Sequence, residues 1–312
     1  MIRTVFGRAC GGEPRARRPD GRRASTLTAS GTPFEVSVTG GQAAFAPAIR
    51  YVTETASQET MLDTRVMAQT DAIDDLTAQL PDGGRGHRGL LRSFIETLYP
   101  RSPVRVRSAA WTGIAHHASA PDHPARLKVY GRADTRGRLD RLAGAFPEFA
   151  GLFSVPGDEA YLKPSFAAIE VDDRGGITHK MYLKTPRDLA APMKLIRHFG
   201  DTAWQVISEL VDCGFDPALL YGHTFFVCCA RGVEGPVTTL HLIAGRRDIT
   251  AQVRELASRH HGTTRAVDTL ADCAHVSGAD WRFSAVGLSA AAAGGITKLN
   301  VYGVPVWPST GA

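Results

Sequence analysis

Short segments in which apolar and polar residues alternate recur along the chain and predict β-strands. Four of these segments share one pattern, in which one face is polar or aromatic and the opposite face is mostly apolar, with His179 as the exception. Their starts lie 52, 61 and 59 residues apart, and a second strand-like segment precedes each of them. The four repeated segments are residues 126–130, 178–182, 239–243 and 298–302, and the preceding ones are 104–114, 166–171, 223–230 and 281–288.

Helical periodicity fills the intervals between these strand pairs. An earlier pair at 34–39 and 48–53 brings the predicted strands to ten. Antiparallel pairs separated by helices are typical of a closed sheet, so we expect an α+β fold, a single ten-stranded antiparallel β-barrel surrounded by α-helices. A barrel of ten strands leaves room inside for a ligand. The helical segments are 58–80, 87–99, 136–149, 187–213, 249–260 and 264–273.

Basic residues mark the polar faces of the four repeated strands. None of these four faces carries an acid, and three of the six lysines of the chain lie on them. A face in contact with water normally mixes charges of both signs, so we expect a cationic lining inside the barrel. An open sheet with its polar faces in water is the alternative. The basic residues are Arg126, Lys128, Lys180, His241 and Lys298.

Cations beside tyrosines suit the chemistry of an allylic diphosphate. Lys128 and Lys180 are each followed two residues later by a tyrosine, Tyr130 and Tyr182. Lysine and arginine can hold a diphosphate through charge-assisted hydrogen bonds, and tyrosine rings can stabilise an allylic carbocation while excluding water. The acidic pairs at 74–75 and 172–173 lack the third carboxylate of a magnesium-diphosphate clamp. We therefore expect no metal site and no required cofactor, with magnesium at most stimulatory.

Two short motifs resemble the opening of the dimethylallyltryptophan synthase family, at residues 32–37 (TPFEVS) and 47–54 (PAIRYVTE). These proteins are aromatic (indole) prenyltransferases with the ABBA barrel of ten antiparallel strands ringed by helices. The resemblance covers about residues 31–305. It implies metal-independent transfer of a dimethylallyl group from dimethylallyl diphosphate to an aromatic acceptor, an indole or tryptophan derivative, by Friedel–Crafts-type alkylation.

The resemblance also implies roles for individual side chains. Glu35 accepts a hydrogen bond from the N–H of the aromatic acceptor and activates the acceptor ring. Arg50 contacts the prenyl diphosphate. We expect the polar positions of the repeated strands to bind the same diphosphate and their tyrosines to shield the carbocation. The predicted diphosphate ligands are Arg50, Arg126, Lys128, Lys180, His241, Lys298 and Asn300, and the predicted shield is Tyr130, Tyr182 and Tyr302.

Four positions, in three of the repeated strands, depart from the family pattern. Thr178 stands where an arginine is common. His241 and Ile243 replace a Gln-x-Tyr pair, so one ring of the shield is absent. The fourth repeat has Asn300 before Tyr302. These departures leave the affinity for the donor and the size of its prenyl group open.

The catalytic base is a further departure. In the 4-prenylating tryptophan enzymes a lysine on the strand before the first Lys-x-Tyr motif is the usual candidate, whereas this chain has no lysine before Lys128. The nearest counterparts are Trp111, His116 and His117. An imidazole with an ordinary pKa of about 6.5 can accept a proton at neutral pH. We predict His116 or His117 as the base if either faces the cavity, and prenylation at a carbon other than C4. A solvated hairpin loop is the alternative for both histidines.

Two other functions stay open at the level of the sequence. The same architecture serves phenolic and naphthalene acceptors, and a barrel that binds a small molecule without turnover is the alternative of a different class. We expect dimethylallyl diphosphate and an aromatic small-molecule acceptor as partners, with no nucleic acid and no membrane. No segment is long and apolar enough to span a bilayer, so we expect a cytoplasmic protein. We expect it to be a monomer or a homodimer.

The net charge of +5 arises in the first 23 residues, which hold seven arginines against Glu13 and Asp20. The remainder of the chain therefore sums to about zero. The N-terminal stretch is rich in Gly, Pro and Arg without hydrophobic periodicity. This predicts a disordered basic tail over residues 1–25 and a barrel domain over 26–312. The family that the chain resembles has helices ahead of its glutamate motif, and we expect none here.

Overall fold

Ten β-strands form a closed barrel in the structure, which is a computed structural model. It describes residues 2–11, 14–41, 48–100, 104–106, 110–117, 120–153, 161–221, 224–232, 235–245, 247–291 and 294–308. The strands are β1 (Phe34–Gly40), β2 (Ala48–Glu54), β3 (Trp111–His117), β4 (Ala120–Arg132), β5 (Lys163–Asp172), β6 (Ile177–Lys184), β7 (Phe225–Gly232), β8 (Gly235–Ile243), β9 (Asp280–Ala290) and β10 (Ile296–Val306). Each strand lies beside its neighbours in sequence, and β1 pairs with β10 to close the barrel. The predicted barrel of ten antiparallel strands is confirmed.

Helices separate the strand pairs, and each of the six predicted helical segments overlaps at least one of them. They are α1 (Ile2–Cys10), α2 (Leu62–Thr77), α3 (Asp82–Arg85), α4 (Arg88–Leu98), α5 (Arg136–Ala145), α6 (Ala150–Phe153), α7 (Ala191–Asp212), α8 (Pro217–Tyr221), α9 (Thr250–His261) and α10 (Arg265–Val276), with a 3₁₀ turn at Pro147–Phe149. In the part of the chain that the structure describes, no helix has the length and apolar character needed to cross a membrane.

The predicted strand at 104–114 is wrong at its beginning. β3 starts only at Trp111. Arg105 instead forms a backbone bridge with Met61, and the backbone N–H of Val106 donates to the carbonyl oxygen of Thr60. The first residues of the predicted strand therefore pair with the segment that leads into α2, and their alternating pattern reflects that pairing.

The chain divides into two compact units. The first comprises residues 1–35, 50–183 and 228–237, and it contains β3, β4 and β5 in full. The second comprises residues 36–49, 184–227 and 238–312, and it contains β9 and β10 in full.

In the first unit, the apolar face of β4 packs against helices. Leu127 and Val129 are buried, and Gly131 lies so close to α4 that a Cβ there would be 2.4 Å from Leu98. Successive side chains of a strand point to opposite faces, so the polar positions of β4 point away from the helices and into the barrel. These positions are Arg126, Lys128 and Tyr130.

In the second unit, β10 likewise has an apolar face and a polar face. Leu299 and Val301 are buried, and the ring of His261 from α9 is hydrogen-bonded to the carbonyl oxygen of Leu299 at 3.3 Å. Asn300 and Tyr302 alternate with these residues and therefore belong to the interior face of the strand.

The N-terminal residues form a packed helix, which corrects the predicted disorder of residues 1–25. Val5 and Ala9 of α1 are fully buried. The carbonyl oxygen of Ala9 accepts hydrogen bonds from the hydroxyl groups of Thr53 at 3.0 Å and Thr55 at 2.7 Å. Beyond the helix, the guanidinium of Arg18 donates to the carbonyl oxygen of Ser57 at 3.2 Å. This stretch therefore contributes to the fold of the first unit.

Glu54, the last residue of the motif at residues 47–54, stabilises the fold. The carboxylate of Glu54 is fully buried, where it forms an ion pair with Arg65 of α2 and accepts a hydrogen bond from Ser25. A buried carboxylate with a charged partner tolerates the loss of that partner poorly. Glu54 thus connects β2 to α2 and to the N-terminal segment.

Candidate active site

Four charged side chains from three strands meet on the interior face of the first unit. The Glu170 carboxylate on β5 accepts hydrogen bonds from the Nζ atoms of Lys128 on β4 and Lys180 on β6, each 2.9 Å from its Oε2. Arg126 approaches the other oxygen, with 3.6 Å between a terminal guanidinium nitrogen and Oε1. The register of β4 and β5 places Lys128 directly opposite Glu170. We call these four residues the lysine–glutamate cluster.

In the lysine–glutamate cluster, Lys128, Glu170 and Lys180 are largely removed from water, whereas the side chain of Arg126 is 47% exposed. The side chains of Lys128, Glu170 and Lys180 are only 9%, 10% and 13% exposed. Burial raises the pKa of Glu170, but attraction to Lys128, Lys180 and Arg126 outweighs burial and holds that pKa well below its ordinary value. Burial lowers the pKa of Lys180, and the carboxylate of Glu170 offsets part of that decrease. Glu170 is therefore ionised at neutral pH and attracts both ammonium groups.

Two tyrosine rings lie beside the cluster. The ring centroids of Tyr130 and Tyr182 are 5.7 Å apart, and a hydrogen bond joins the two side chains. The Nζ atom of Lys128 lies 5.3 Å from the centroid of the Tyr130 ring, within range of a cation–π interaction. Burial raises the pKa of Tyr130 to about 12, so this phenol is neutral at physiological pH. The arrangement places the π-face of a neutral tyrosine next to three cationic side chains that share one carboxylate.

Trp111 and Phe166 extend the aromatic surface around Tyr130. Their ring centroids are 4.2 Å apart, and Trp111 lies 6.1 Å from Tyr130. Trp111 stands opposite Tyr130 in the pairing of β3 with β4. Next along the same face is Gly113, where a Cβ would lie 3.1 Å from the Tyr130 ring. A flat aromatic molecule could stack on this surface, because it is apolar and directly adjoins the cations.

Arg50 of β2 acts on the same group of residues. It is half-buried, and its positive charge is one of the influences that lower the pKa of Tyr130. Val52, two residues further along β2, lies beside Gly113 on the interior face. The structure therefore brings Arg50 together with the predicted ligands of the first unit and with the two tyrosines.

The second unit has a polar row on its own interior face. His241 of β8 and Asn300 of β10 both stand opposite Gly287 of β9. A Cβ at Gly287 would lie 2.4 Å from Nδ1 of His241, so only glycine leaves the imidazole in this position. The amide of Asn300 donates to the carbonyl oxygen of Gly287 at 3.3 Å and accepts from the hydroxyl of Thr39 at 2.7 Å. These two bonds fix the orientation of the Asn300 side chain.

Tyr302 and Lys298 flank this polar row. The ring centroid of Tyr302 lies 5.6 Å from that of His241. Lys298 is half-buried and stands opposite Ser289 of β9. The predicted ligands His241, Lys298 and Asn300 and the predicted shield residue Tyr302 therefore share one face of the second unit.

Glu35 lies near the beginning of β1 and is half-buried. Two residues later, Ser37 stands opposite Tyr302 of β10. Alternate residues of a strand share a face, so Glu35 belongs to the face of β1 that carries Ser37. That face points into the barrel, since Tyr302 lies on the interior face of β10.

The structure places His116 away from the interior face, so it does not meet the condition under which it was predicted to act as a base. Its Nε2 atom lies 3.2 Å from the hydroxyl of Tyr51, and the two rings stack with centroids 5.7 Å apart. Phe6 of α1 packs against Tyr51 at 5.3 Å, so this stack lies on the helix-facing side of the sheet. The backbone of His117 pairs with Ala120, and its side chain lies outside the described part of the structure. Its role as a base stays a prediction.

Sequence reasoning missed Glu170. The four repeated strands carry no acid, whereas Glu170 belongs to the strand that precedes the second of them. The available signal was the alternation along β5, which places Phe166, Ala168 and Glu170 on one face. The register that sets Glu170 against Lys128 is a property of the folded sheet and could not be read from that alternation.

Comparisons with known proteins place the fold. No family model and no curated protein matches the chain. Among solved structures, a 6-dimethylallyltryptophan synthase from Micromonospora olivasterospora, in complex with DMASPP and Trp, is similar with a TM-score of 0.67 at 19% identity, covering 96% of this chain and 90% of that chain. A 5-dimethylallyltryptophan synthase from Streptomyces coelicolor is similar with a TM-score of 0.68 at 17% identity, covering 96% and 89%. The chain has the ABBA fold.

A third solved structure, AnaPT from Neosartorya fischeri, has a TM-score of 0.64 at 15% identity and covers 97% of this chain and 86% of that chain. The ABBA fold is the one that the resemblance to dimethylallyltryptophan synthases implied, so that expectation is confirmed for the fold. Because identities this low relate folds and not activities, the chemistry has to be argued from the residues of the site.

Proposed function

We propose that this ABBA-fold chain is an aromatic prenyltransferase, which transfers a dimethylallyl group from dimethylallyl diphosphate to an indole or tryptophan derivative without a metal ion. The observation that supports this most strongly is the pair of largely buried lysines beside the pair of tyrosines in the first unit. The lysines are Lys128 and Lys180, and the tyrosines are Tyr130 and Tyr182. A solved structure of the same fold is a synthase in complex with DMASPP and Trp, which agrees with this proposal.

The donor diphosphate binds to the cations of the first unit. A prenyl diphosphate carries roughly three negative charges at neutral pH. Arg50, Arg126, Lys128 and Lys180 supply four positive charges, and Glu170 subtracts one, so these residues match the charge of the donor. His241, Lys298 and Asn300, on the interior face of the second unit, stay predicted ligands of a diphosphate.

Ionisation of the donor begins the reaction. The bond between C1 and oxygen breaks, and both of its electrons leave with the diphosphate, whose charge the lysines and arginines stabilise. The remaining allylic carbocation is stabilised by the rings of Tyr130 and Tyr182, which also exclude water. Tyr302, in the second unit, stays a predicted shield residue.

The acceptor ring then attacks the carbocation and forms the new carbon–carbon bond. In this proposal its aromatic face stacks on Trp111 and Phe166, and its N–H donates to the carboxylate of Glu35. The alkylated ring loses the proton at the substituted carbon and becomes aromatic again. The proton passes to Glu35 or to water, because His116 packs against Tyr51 on the helix-facing side of β3.

Metal independence is part of the proposal, because protein cations supply the counter-charge. The two acidic pairs have other contacts. The carboxylate of Asp74 accepts hydrogen bonds from Arg88 and Arg92. The carboxylate of Asp172 accepts hydrogen bonds from the backbone N–H groups of Arg174 and Gly176. Within the described ranges, no group of three or more His, Cys, Asp or Glu side chains is arranged to hold a metal ion.

The test is incubation with isotopically labelled dimethylallyl diphosphate and a panel of tryptophan, simple indoles, tyrosine and dihydroxynaphthalene. We expect a labelled product with an indole acceptor, and product NMR should locate the new bond at a carbon other than C4. The double variant Lys128→Met/Lys180→Met should lose turnover because the diphosphate loses its charge partners. Lys184→Met is the matched control, since Lys184 is an exposed residue at the end of β6.

The other outcomes separate the alternatives. A product formed only with the phenol or the naphthalene would assign the chain to that acceptor class. Binding of the donor without any product would indicate a small-molecule-binding barrel. Clean prenylation of tryptophan at C4 would contradict the predicted regiochemistry.

A further inference from the structure

Glu170 is an acid at the centre of a site that we propose binds an anion. A carboxylate there repels a diphosphate and removes one unit of positive charge, so its presence needs a physical explanation. Lys128 and Lys180 both contact a single atom of it, Oε2, at 2.9 Å. Arg126 approaches the second carboxylate oxygen. One carboxylate thus holds three cationic side chains, which come from β4 and β6, the strands on either side of its own.

Two buried ammonium groups this close together would not both stay charged without a counter-ion. Because they share one oxygen atom, the Nζ atoms of Lys128 and Lys180 lie at most twice 2.9 Å apart. Like charges at that separation repel strongly where water is excluded. For Lys180, burial and the charge of Lys128 both lower the pKa, whereas Glu170 raises it. Removing the carboxylate would favour loss of a proton from one lysine.

We propose that Glu170 is a positioning residue, which holds Lys128 and Lys180 as two ammonium ions at one point of the barrel before the donor arrives. This inference rests on the proposed function, since it concerns how the diphosphate site is prepared. When the donor binds, its phosphate oxygens replace Oε2 as the partners of the ammonium groups. When diphosphate leaves, the ammonium groups of Lys128 and Lys180 pair with the Glu170 carboxylate again.

The other charged and titratable groups near the cluster do not replace Glu170 in this role. Among the described residues they include Arg126 on β4, Arg50 on β2, Tyr130 and Tyr182 on β4 and β6, Cys228 on β7 and Asp172 on β5. Asp172 stands opposite Arg126, and its carboxylate accepts hydrogen bonds from the backbone N–H groups of Arg174 and Gly176. The arginines are cations at every relevant pH. Tyr130 is neutral, because burial raises its pKa to about 12. Cys228 also raises the pKa of Lys180, but by less than Glu170 does.

The test is the pH dependence of binding of dimethylallyl thiolodiphosphate, measured by titration calorimetry. Between about pH 7.5 and about pH 9.5 the analogue keeps a constant charge, so a change in affinity reports on the protein. The wild-type protein should bind with nearly constant affinity over this range, because the carboxylate of Glu170 stabilises both ammonium groups. Glu170→Gln should bind more tightly at the acid end, where a repelling charge is gone, and then lose about tenfold in affinity per pH unit.

Two further variants make the result specific. Glu170→Asp keeps an anion near both lysines and should restore the flat pH profile. Glu209→Gln removes a carboxylate that pairs with Arg259 and His260 in the second unit, and it should leave the profile of the wild-type protein unchanged. Thermal melting at each pH confirms that the variants are folded.

A flat profile in Glu170→Gln, parallel to that of the wild-type protein, would overturn the inference while leaving the proposed function intact. If Glu170→Gln does not fold, the pH profile of the wild-type protein is the test. A tenfold loss of wild-type affinity for the analogue per pH unit in this range would also overturn the inference. Failure of the wild-type protein to bind the analogue at any pH would instead count against the proposed function and the inference together.

Discussion

At the scale of single residues, Glu35 is the side chain whose replacement separates chemistry from folding. A carboxylate that accepts the N–H of the acceptor takes up charge as the ring is alkylated. Glu35→Gln should therefore lower kcat by about 10²-fold or more, with little change in Tm because the residue is only half-buried. Steady-state kinetics and thermal melting measure the two effects, and Glu96→Gln on the exposed face of α4 is the matched control. An unchanged kcat in Glu35→Gln would make Glu35 a solvated strand-end carboxylate.

The residues of the site differ in how far sequence could reveal them. Lys128 and Tyr130 were predicted to share a face because the side-chain period of a strand is two, and the structure places them so. The contacts of Glu170 and Trp111 could not be predicted without the register between strands. That register depends on how the whole sheet pairs. The environment of His116 could not be predicted either, because it depends on the packing of α1 against β2, two elements far apart in sequence.

At the scale of elements, α1 is the helix whose contribution to stability is easiest to test. It buries Val5 and Ala9 completely, and Phe6 packs against Tyr51. Loss of these apolar contacts removes on the order of a few kcal/mol of unfolding free energy. Deletion of residues 1–24 should therefore lower Tm by about 5 °C or more.

A matched pair of substitutions in the full chain separates packing from chain length. Val5→Asp should lower Tm in the same direction as the deletion, whereas Thr4→Asp, at the exposed neighbouring position, should leave it nearly unchanged. A deletion that melts at the temperature of the intact protein would show that α1 does not stabilise the barrel.

The same helix shows why some elements were predicted and others were not. The long helices and the ten strands repeat their periodicity over several turns or pleats, so their type could be read from the sequence. In α1 the apolar residues are Ile2, Val5, Phe6 and Ala9, which follow helical spacing for only two turns among glycine and arginine. Composition pointed to disorder there, but the contacts with β2 supply the stability that a short isolated helix lacks.

At the scale of the whole molecule, closure of the sheet decides what its polar strand faces can do. In an open sheet Lys128 and Glu170 would lie in water, where an ion pair contributes little. Pairing of β1 with β10 closes the barrel, and the side chains of both residues are about nine-tenths buried. Charges held where water is scarce interact strongly with an enclosed anion, so protein cations can take the place of a metal ion in binding a diphosphate.

The most direct test of this central claim is prenyl transfer by the wild-type protein in excess EDTA. Formation of the labelled product from dimethylallyl diphosphate and the indole acceptor should continue at a comparable rate, because Arg50, Arg126, Lys128 and Lys180 neutralise the leaving diphosphate. A moderate increase in rate on addition of magnesium is compatible with this mechanism, since the metal can assist release of the product diphosphate. Complete loss of product formation in EDTA, restored by magnesium, would contradict it.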